Sequence, residues 1–158
     1  MPTIILYMTT HGCTEKAARI LMTRMYDDVT LVNIEGMPDP DLTRFDRVII
    51  GGSVHMGEIR KELKQYCERN LDSLLQKKLG LFLCCMFEGE TAQKQFRQAY
   101  PEALRVHATA TGLFGGEISF DRMNRFEAMI VKKVSGISQD VSKLNDLAIE
   151  EFAGKISG

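Results

Sequence analysis

The feature that most constrains the fold is a run of nine residues, 79–87, that is almost wholly apolar. Its apolar residues do not alternate with polar ones, as they would in a strand with one face in water. This pattern is typical of a central parallel strand that is covered on both faces. The chain therefore needs helices on both sides of a sheet.

The rest of the chain supplies alternating strand and helix patterns. Apolar runs rich in β-forming residues predict strands at 3–8, 29–34 and 47–52, and a fifth strand is expected within 111–120. Apolar residues at helical spacing predict helices at 14–26, 59–76, 91–100 and 101–108. Two more helical stripes close the chain on either side of Gly136, one formed by Met123, Phe126, Ile130 and Val134 and the other by Val141, Leu144, Ala148 and Phe152. The alternation predicts an α/β fold: a doubly wound five-stranded parallel sheet of order 2-1-3-4-5 with helices on both faces.

Length, charge and cysteine content limit the class of protein. The 158 residues predict one domain, spanning 1–158. A formal net charge of −1 argues against a nucleic-acid partner. The four cysteines show no CxxC spacing, so we expect no metal site and reduced thiols. No signal peptide or apolar run of about 20 residues is evident, and we expect a cytoplasmic protein.

A polar segment follows the first predicted strand, at the place where doubly wound sheets bind ligands. It consists of Thr9, Thr10, His11, Gly12, Cys13 and Thr14 and leads directly into a helix. Hydroxyls, free backbone N–H groups and a positive helix end together suit a phosphate monoester. The segment contains neither GxxxxGK[ST] nor GxGxxG. The alternative is that the threonines and the glycine only cap the helix.

Residues 5–14, continued by Ala18 and Leu21, resemble the phosphate-binding signature of the flavodoxin family. The resemblance implies a flavodoxin-like fold with non-covalently bound FMN. It implies that the FMN phosphate is held by Thr9, Thr10, Gly12 and Thr14, with backbone contacts from His11 and Cys13. Electrons would then pass through the flavin to a redox partner protein or a small organic substrate. The cofactor carries this chemistry, so no catalytic side chain is required.

Two further loops match the places where flavodoxins hold the flavin ring. After the third strand come Ser53, Val54, His55, Met56 and Gly57, of which Met56-Gly57 resembles the turn beside the flavin N5. The alternative is an ordinary glycine turn. After the fourth strand come Phe87, Glu88 and Gly89, where the family covers the other face of the ring. Phe87 either stacks on the flavin or ends the strand as a core residue.

Residues 45–53, and 114–118 through Ser135-Gly136, resemble a narrower branch, the flavodoxin-like menaquinone-dependent protoporphyrinogen dehydrogenases. This resemblance implies an alternative function, oxidation of a porphyrinogen-type substrate with a quinone acceptor. The segment between the fourth and fifth strands is too short for the insertion found in that enzyme. The expected helix near 121–134 carries four basic residues beside its apolar ones: Arg122, Arg125, Lys132 and Lys133. It either packs its apolar stripe inward or touches a membrane surface that supplies a quinone.

The same residues also suggest other protein classes. Cys13 and Arg19 have the C-x5-R spacing of small cysteine phosphatases and arsenate reductases. The helical pattern between them, and the acidic Glu15, argue against that remote alternative. A response-regulator receiver needs acidic residues after its first strand, where this chain has threonines. A cofactor-free interaction module remains an alternative, and it would give a colourless protein.

Overall fold

The computed structural model describes residues 1–9, 12–55, 58–118, 124–135 and 141–158. Five strands form one sheet: β1 (Thr3–Tyr7), β2 (Val29–Asn33), β3 (Arg47–Ser53), β4 (Lys78–Cys84) and β5 (Ala110–Leu113). Their order is β2-β1-β3-β4-β5 and every pair is parallel. The predicted fold class is confirmed, and the 79–87 run does contribute a strand that has neighbours on both sides.

Seven helices occur in the described ranges: α1 (Cys13–Thr23), α2 (Lys61–Arg69), α3 (Leu71–Leu74), α4 (Gly89–Ala99), α5 (Glu102–His107), α6 (Arg125–Ser135) and α7 (Asp146–Ser157). The apolar residues of α1 and α7 pack on one face of the sheet. Those of α2 to α5 pack on the other face. Alternate residues of each buried strand therefore enter two separate cores, which explains the unbroken apolar runs in the sequence.

One row across the sheet is built from glycine and aromatic residues. Gly51 of β3 and Gly112 of β5 lie in register on either side of Phe82 of β4. A Cβ atom at Gly51 would lie 1.9 Å from Cζ of Phe82, so only glycine leaves room for the ring. The Phe82 ring stacks on Phe114, with centroids 4.5 Å apart, and meets Phe152 of α7 edge-on at 6.1 Å.

The amino edge of the sheet, where the strands begin, holds a cluster of paired polar groups. Arg47 is only 2% exposed, forms an ion pair with Asp27 and donates to Oγ1 of Thr3 at 3.2 Å. The buried Thr3 hydroxyl in turn donates to the Met1 carbonyl at 3.2 Å. The Arg47 Nε has no hydrogen-bond partner among the described residues. This cluster fixes the start of β1 against the start of β3.

Several predicted element boundaries were wrong. The strand predicted over 79–87 ends at Cys84, and the helix predicted over 59–76 is divided at Asn70 into α2 and α3. The sequence pattern predicts a helix that includes Val141, but Val141 lies in a short strand, β7 (Val141–Ser142). This strand pairs antiparallel with β6 (Glu117–Ile118) in a second sheet that the sequence did not predict.

The late start of α7 has a local cause. The Asn145 side chain accepts a hydrogen bond from the Ala148 N–H at 3.0 Å and caps the helix, which begins at Asp146. The backbone N–H groups of Lys143 and Asn145 donate to the carbonyls of Gly116 and Phe114. Strand-like pairing with residues 114–116 therefore replaces the helical bonds that the apolar stripe suggested.

Candidate functional site at the carboxyl edge of the sheet

Three loops meet where β1, β3 and β4 end, at the carboxyl edge of the sheet. Met8, directly after β1, donates its N–H to the Gly51 carbonyl at 3.2 Å. Val54, directly after β3, donates to the Cys84 carbonyl at 2.9 Å. The Cys85 Sγ contacts the Phe87 carbonyl at 3.6 Å, beyond the end of β4. The sheet thus brings the three predicted loops together, although they are far apart in the sequence.

The first loop is closed by a side chain of its own. The Gly12 N–H donates to Oγ1 of Thr9 at 2.8 Å. Gly12 has a φ of 88°, a left-handed conformation that favours glycine, and it directly precedes α1. Thr10 and His11 lie outside the described residues. Thr9 and Gly12, two of the residues expected to hold a phosphate, thus shape the loop itself.

Thr14, the second residue of α1, is the most unusual polar group in this loop. Its side chain is fully buried, 0% exposed. Its hydroxyl lies against the thiol of Cys84 but makes no hydrogen bond of normal geometry with any residue of the described ranges. A buried hydroxyl without a partner costs about 1–3 kcal/mol. The first turn of a helix also has N–H groups without intrahelical partners and a positive dipole end, so this position suits an anion.

Cys13, the first residue of α1, is buried beside Cys84. A hydrogen bond from the Cys84 thiol lowers the pKa of Cys13, and burial opposes this shift. The same bond, together with burial, raises the pKa of Cys84 well above its ordinary value. The residues between Cys13 and Arg19 are helical, and Arg19 forms an exposed ion pair with Glu15 at 3.0 Å. They do not wrap into the loop that a cysteine phosphatase requires.

The second loop contains Ser53, Val54 and His55, all half-buried. His55 and Glu58 exchange two backbone hydrogen bonds of 2.8 and 3.2 Å and form an antiparallel bridge. Met56 and Gly57, expected beside the flavin, lie outside the described residues. The described residues of this loop are therefore held in place, Val54 by β4 and His55 by Glu58.

The third loop presents an aromatic ring to solvent. Phe87 is 53% exposed, because β4 ends three residues earlier. The alternative that Phe87 is a core residue of the strand was wrong. Glu88 precedes the first residue of α4, and Gly89 begins that helix with a φ of 61°. The ring is thus free to cover a flat ligand at this edge of the sheet.

Helix α6 lies next to the second loop. The Glu127 Oε2 is 3.6 Å from Nε2 of His55. Every α6 residue from 125 to 133 is exposed or half-buried, with Phe126 66% and Met129 59% exposed. The exposed Phe126 does not fit the alternative in which this helix packs its apolar stripe inward. The helix leaves apolar side chains in solvent beside basic ones, Arg125, Lys132 and Lys133.

Sequence reasoning missed two residues of the site. Arg60 donates to the Thr9 carbonyl at 3.3 Å, and Glu127 reaches His55. Both are charged residues on predicted helices, where a solvated position is the usual expectation. Their positions depend on how the helices are oriented at the carboxyl edge, for which the sequence carries no local signal.

Comparison with known proteins identifies the family. The family described as flavodoxin domain matches residues 4–145. The chain belongs to this family. In the described part of this flavodoxin-domain chain, no helix is long and apolar enough to cross a membrane. Nor does that part contain a group of three or more histidine, cysteine, aspartate or glutamate residues able to hold a metal ion.

Solved structures share the flavodoxin fold at low sequence identity. Oxidised flavodoxin 1 from Bacillus cereus is 15% identical, with a TM-score of 0.58 over 99% of this chain and 97% of that one. A Fusobacterium nucleatum flavodoxin bound to flavin mononucleotide is 13% identical, with a TM-score of 0.56 over 99% and 96% of the two chains. The rubredoxin oxygen:oxidoreductase of Desulfovibrio gigas is 16% identical, with a TM-score of 0.52 over 99% of this chain and 37% of that one. A comparison with curated proteins finds no match.

Proposed function

We propose that this chain binds FMN non-covalently and passes electrons through it to or from a redox partner protein or a small organic substrate. The observation that carries the proposal is the buried Thr14 hydroxyl in the first turn of α1, which makes no normal hydrogen bond with any residue that the structure describes. Family membership and the FMN-bound Fusobacterium nucleatum neighbour support the choice of ligand. When bound, FMN supplies the electron-transfer chemistry.

The chain's own residues have defined tasks in this proposal. Thr14 would donate a hydrogen bond from its hydroxyl to a phosphate oxygen, and the backbone N–H groups of the first turn of α1 would donate beside it. Thr9 keeps the loop closed through its bond to Gly12. Thr10 and His11 join them by resemblance to the family signature, with a backbone contact from Cys13. Ser53, Val54, His55, Met56 and Gly57 form one wall for the ring, and Phe87, Glu88 and Gly89 form the other.

The proposal is tested by titrating the purified protein with FMN and with riboflavin in a calorimeter, while the absorbance spectrum is recorded during stepwise reduction. We expect a yellow complex and tighter binding of FMN than of riboflavin. Thr14→Val keeps the shape of the side chain and removes the donor. It should weaken FMN about tenfold or more, since a hydrogen bond to a charged group contributes about 1.5–3 kcal/mol, and should leave riboflavin binding unchanged.

Thr23→Val is the matched control for this variant. Thr23 lies at the other end of α1, where its hydroxyl donates to the Ile20 carbonyl at 2.6 Å. It should bind FMN as the unmodified chain does. A colourless protein that gives no heat with FMN would refute the proposed function. Equal loss in the two threonine variants would remove Thr14 from the site.

The alternative function is FMN-dependent oxidation of a porphyrinogen-type substrate with a quinone acceptor. The observation that favours it is α6, which exposes Phe126 and Met129 among basic residues and adjoins His55 through Glu127. Such a helix suits an anionic lipid surface, where a quinone is available. Oxidation of protoporphyrinogen by FMN-loaded protein and menaquinone, enhanced by anionic vesicles, would establish it. Electron transfer from the FMN-loaded protein to a redox partner protein, without oxidation of the porphyrinogen, would exclude it.

A cytoplasmic location completes the proposal. All four cysteines are buried free thiols, which suits a reducing compartment. Fractionation of cells that express the chain would test this, and recovery in a secreted or periplasmic fraction would contradict it.

A further inference from the structure

Arg60 joins three elements at the edge of the first loop. It directly precedes α2, and its side chain is half-buried, 28% exposed. Its Nη1 donates to the Thr9 carbonyl at 3.3 Å and to Oε2 of Glu35, after β2, at 3.1 Å. Its Nε lies 3.6 Å from Oε2 of Glu62, in the first turn of α2. The two carboxylates hold the guanidinium in one orientation against the loop.

The Thr9 residue that Arg60 contacts is the one that closes the loop. Its carbonyl accepts from Arg60, while its Oγ1 accepts from the Gly12 N–H at 2.8 Å. Gly12 in turn sets the start of α1, because its carbonyl accepts the first helical bond, from Lys16 at 3.0 Å. A continuous chain of hydrogen bonds therefore runs from Arg60 to the helix turn that carries Thr14.

Two explanations of Arg60 lead to different expectations. A cation beside a phosphate loop could act by its charge, since the loop from Thr9 to Thr14 contains neither lysine nor arginine. However, Glu35 and Glu62 both lie within ion-pair distance of the same guanidinium. Two carboxylates around one cation leave no net positive charge to attract an anion. The arrangement therefore favours a role for Arg60 in positioning the loop over a role in attracting the phosphate by charge.

We infer that Arg60 is a positioning residue for the phosphate loop: by holding the Thr9 carbonyl it keeps Thr9, Gly12 and the first turn of α1 in the arrangement that binds a phosphate monoester. This inference rests on the proposed FMN function. Its ligand class is the phosphate end of the cofactor, so the loss of Arg60 should affect FMN and spare riboflavin, which lacks the phosphate.

The experiment measures the dissociation constants of FMN and riboflavin for the full chain and for Arg60→Gln and Arg60→Lys, at low and high salt. In Arg60→Gln, FMN binding should weaken about tenfold while riboflavin binding changes less than about twofold, as expected for a lost charge-assisted hydrogen bond. The loss should be the same at both salt concentrations. Arg60→Lys should not restore FMN binding, because an ammonium lacks the planar fork that Glu35 and Glu62 orient.

Arg69→Gln is the matched control, because Arg69 ends α2 as Arg60 precedes it. It donates to the Pro38 carbonyl at 3.5 Å and to Oδ1 of Asp39 at 2.9 Å, a carbonyl and a carboxylate, as Arg60 does. Since these hydrogen bonds, within the described residues, do not reach the loop, Arg69→Gln should leave the ratio of the FMN and riboflavin dissociation constants unchanged. If both variants lose a similar amount of stability and only Arg60→Gln changes this ratio, the change in the ratio is not a consequence of lower stability.

The outcomes distinguish this inference from the proposed function. Unmodified protein that binds no FMN refutes the proposed function. Unmodified protein that binds FMN, with Arg60→Gln binding both ligands as tightly, refutes only the role of Arg60. Full recovery in Arg60→Lys, or a loss that disappears at high salt, would also overturn the positioning role and leave a role by charge. A selective loss for FMN that is independent of salt supports it.

Discussion

Two buried threonines, one at each edge of the same sheet, differ in their hydrogen bonds. At the amino edge, Thr3 donates to the Met1 carbonyl and accepts from Arg47. At the carboxyl edge, Thr14 makes no normal hydrogen bond within the described part of the chain. Both side chains are equally inaccessible to water. The amino edge therefore stabilises the fold through its polar groups, whereas the carboxyl edge keeps a donor available for a ligand at a cost in stability.

The largest effect is expected from breaking the ion pair at the amino edge. Asp27→Ala leaves the Arg47 guanidinium buried without its carboxylate, and should lower the free energy of unfolding by about 3 kcal/mol. Urea denaturation measures this loss. FMN affinity should be unchanged, because the pair lies at the opposite end of the sheet from the loops.

The control for this variant is Asp39→Ala, which breaks the exposed pair with Arg69. Exposed pairs contribute less than about 1 kcal/mol, so the loss should be much smaller. If the two variants are destabilised equally, the amino edge has no special role in stability.

The next largest effect is expected from the same substitution at both buried threonines. Thr3→Val and Thr14→Val are the same change at the two edges, and their effects on the unfolding of ligand-free protein should have opposite signs. Thr3→Val should destabilise by about 1–2 kcal/mol, because the Met1 carbonyl and Arg47 lose a partner. Thr14→Val should stabilise by about 1 kcal/mol, because it removes a buried hydroxyl that no described residue satisfies. Destabilisation by both substitutions would show that the Thr14 hydroxyl is bonded in solution.

The smallest effect concerns exposed aromatic rings. Phe87→Ala should weaken FMN about two- to tenfold, as expected for the loss of one stacking contact of about 0.5–1.5 kcal/mol, and should change stability by less than about 0.5 kcal/mol. The control is Tyr26→Ala, since Tyr26 is fully exposed between α1 and β2, near the amino edge. It should change neither quantity. Equal affinities for the Phe87 variant and the unmodified chain would leave that face of the site without an aromatic cover.

The sheet could be predicted from sequence because its signals are local and repeated. The apolar run at 79–87 required cover on both faces, and the cores on the two faces supply it. The first loop was predictable for a similar reason. Its hydroxyls and its glycine lie within one run of six residues, 9–14, and the requirement for a left-handed residue before α1 is visible in the identity of Gly12.

Other features depend on contacts between distant residues. The α6 stripe has a helical period, but a period does not show which element covers it, and Phe126 is exposed. The sequence around Val141 has a helical pattern, but the residues that follow it form strand-like hydrogen bonds with residues 114–116. Arg60 and Thr9 are separated by 51 positions, and their contact depends on how α2 is placed.

The row that pairs glycine with phenylalanine limits how this protein can evolve. Gly51 and Phe82 occupy one shared volume, so a larger residue in β3 becomes acceptable only after the ring in β4 has shrunk. Either single change passes through a less stable intermediate, by overpacking or by a cavity. Related sequences should therefore exchange the two residues together, and in an alignment of relatives this pair should show stronger covariation than most neighbours in the sheet.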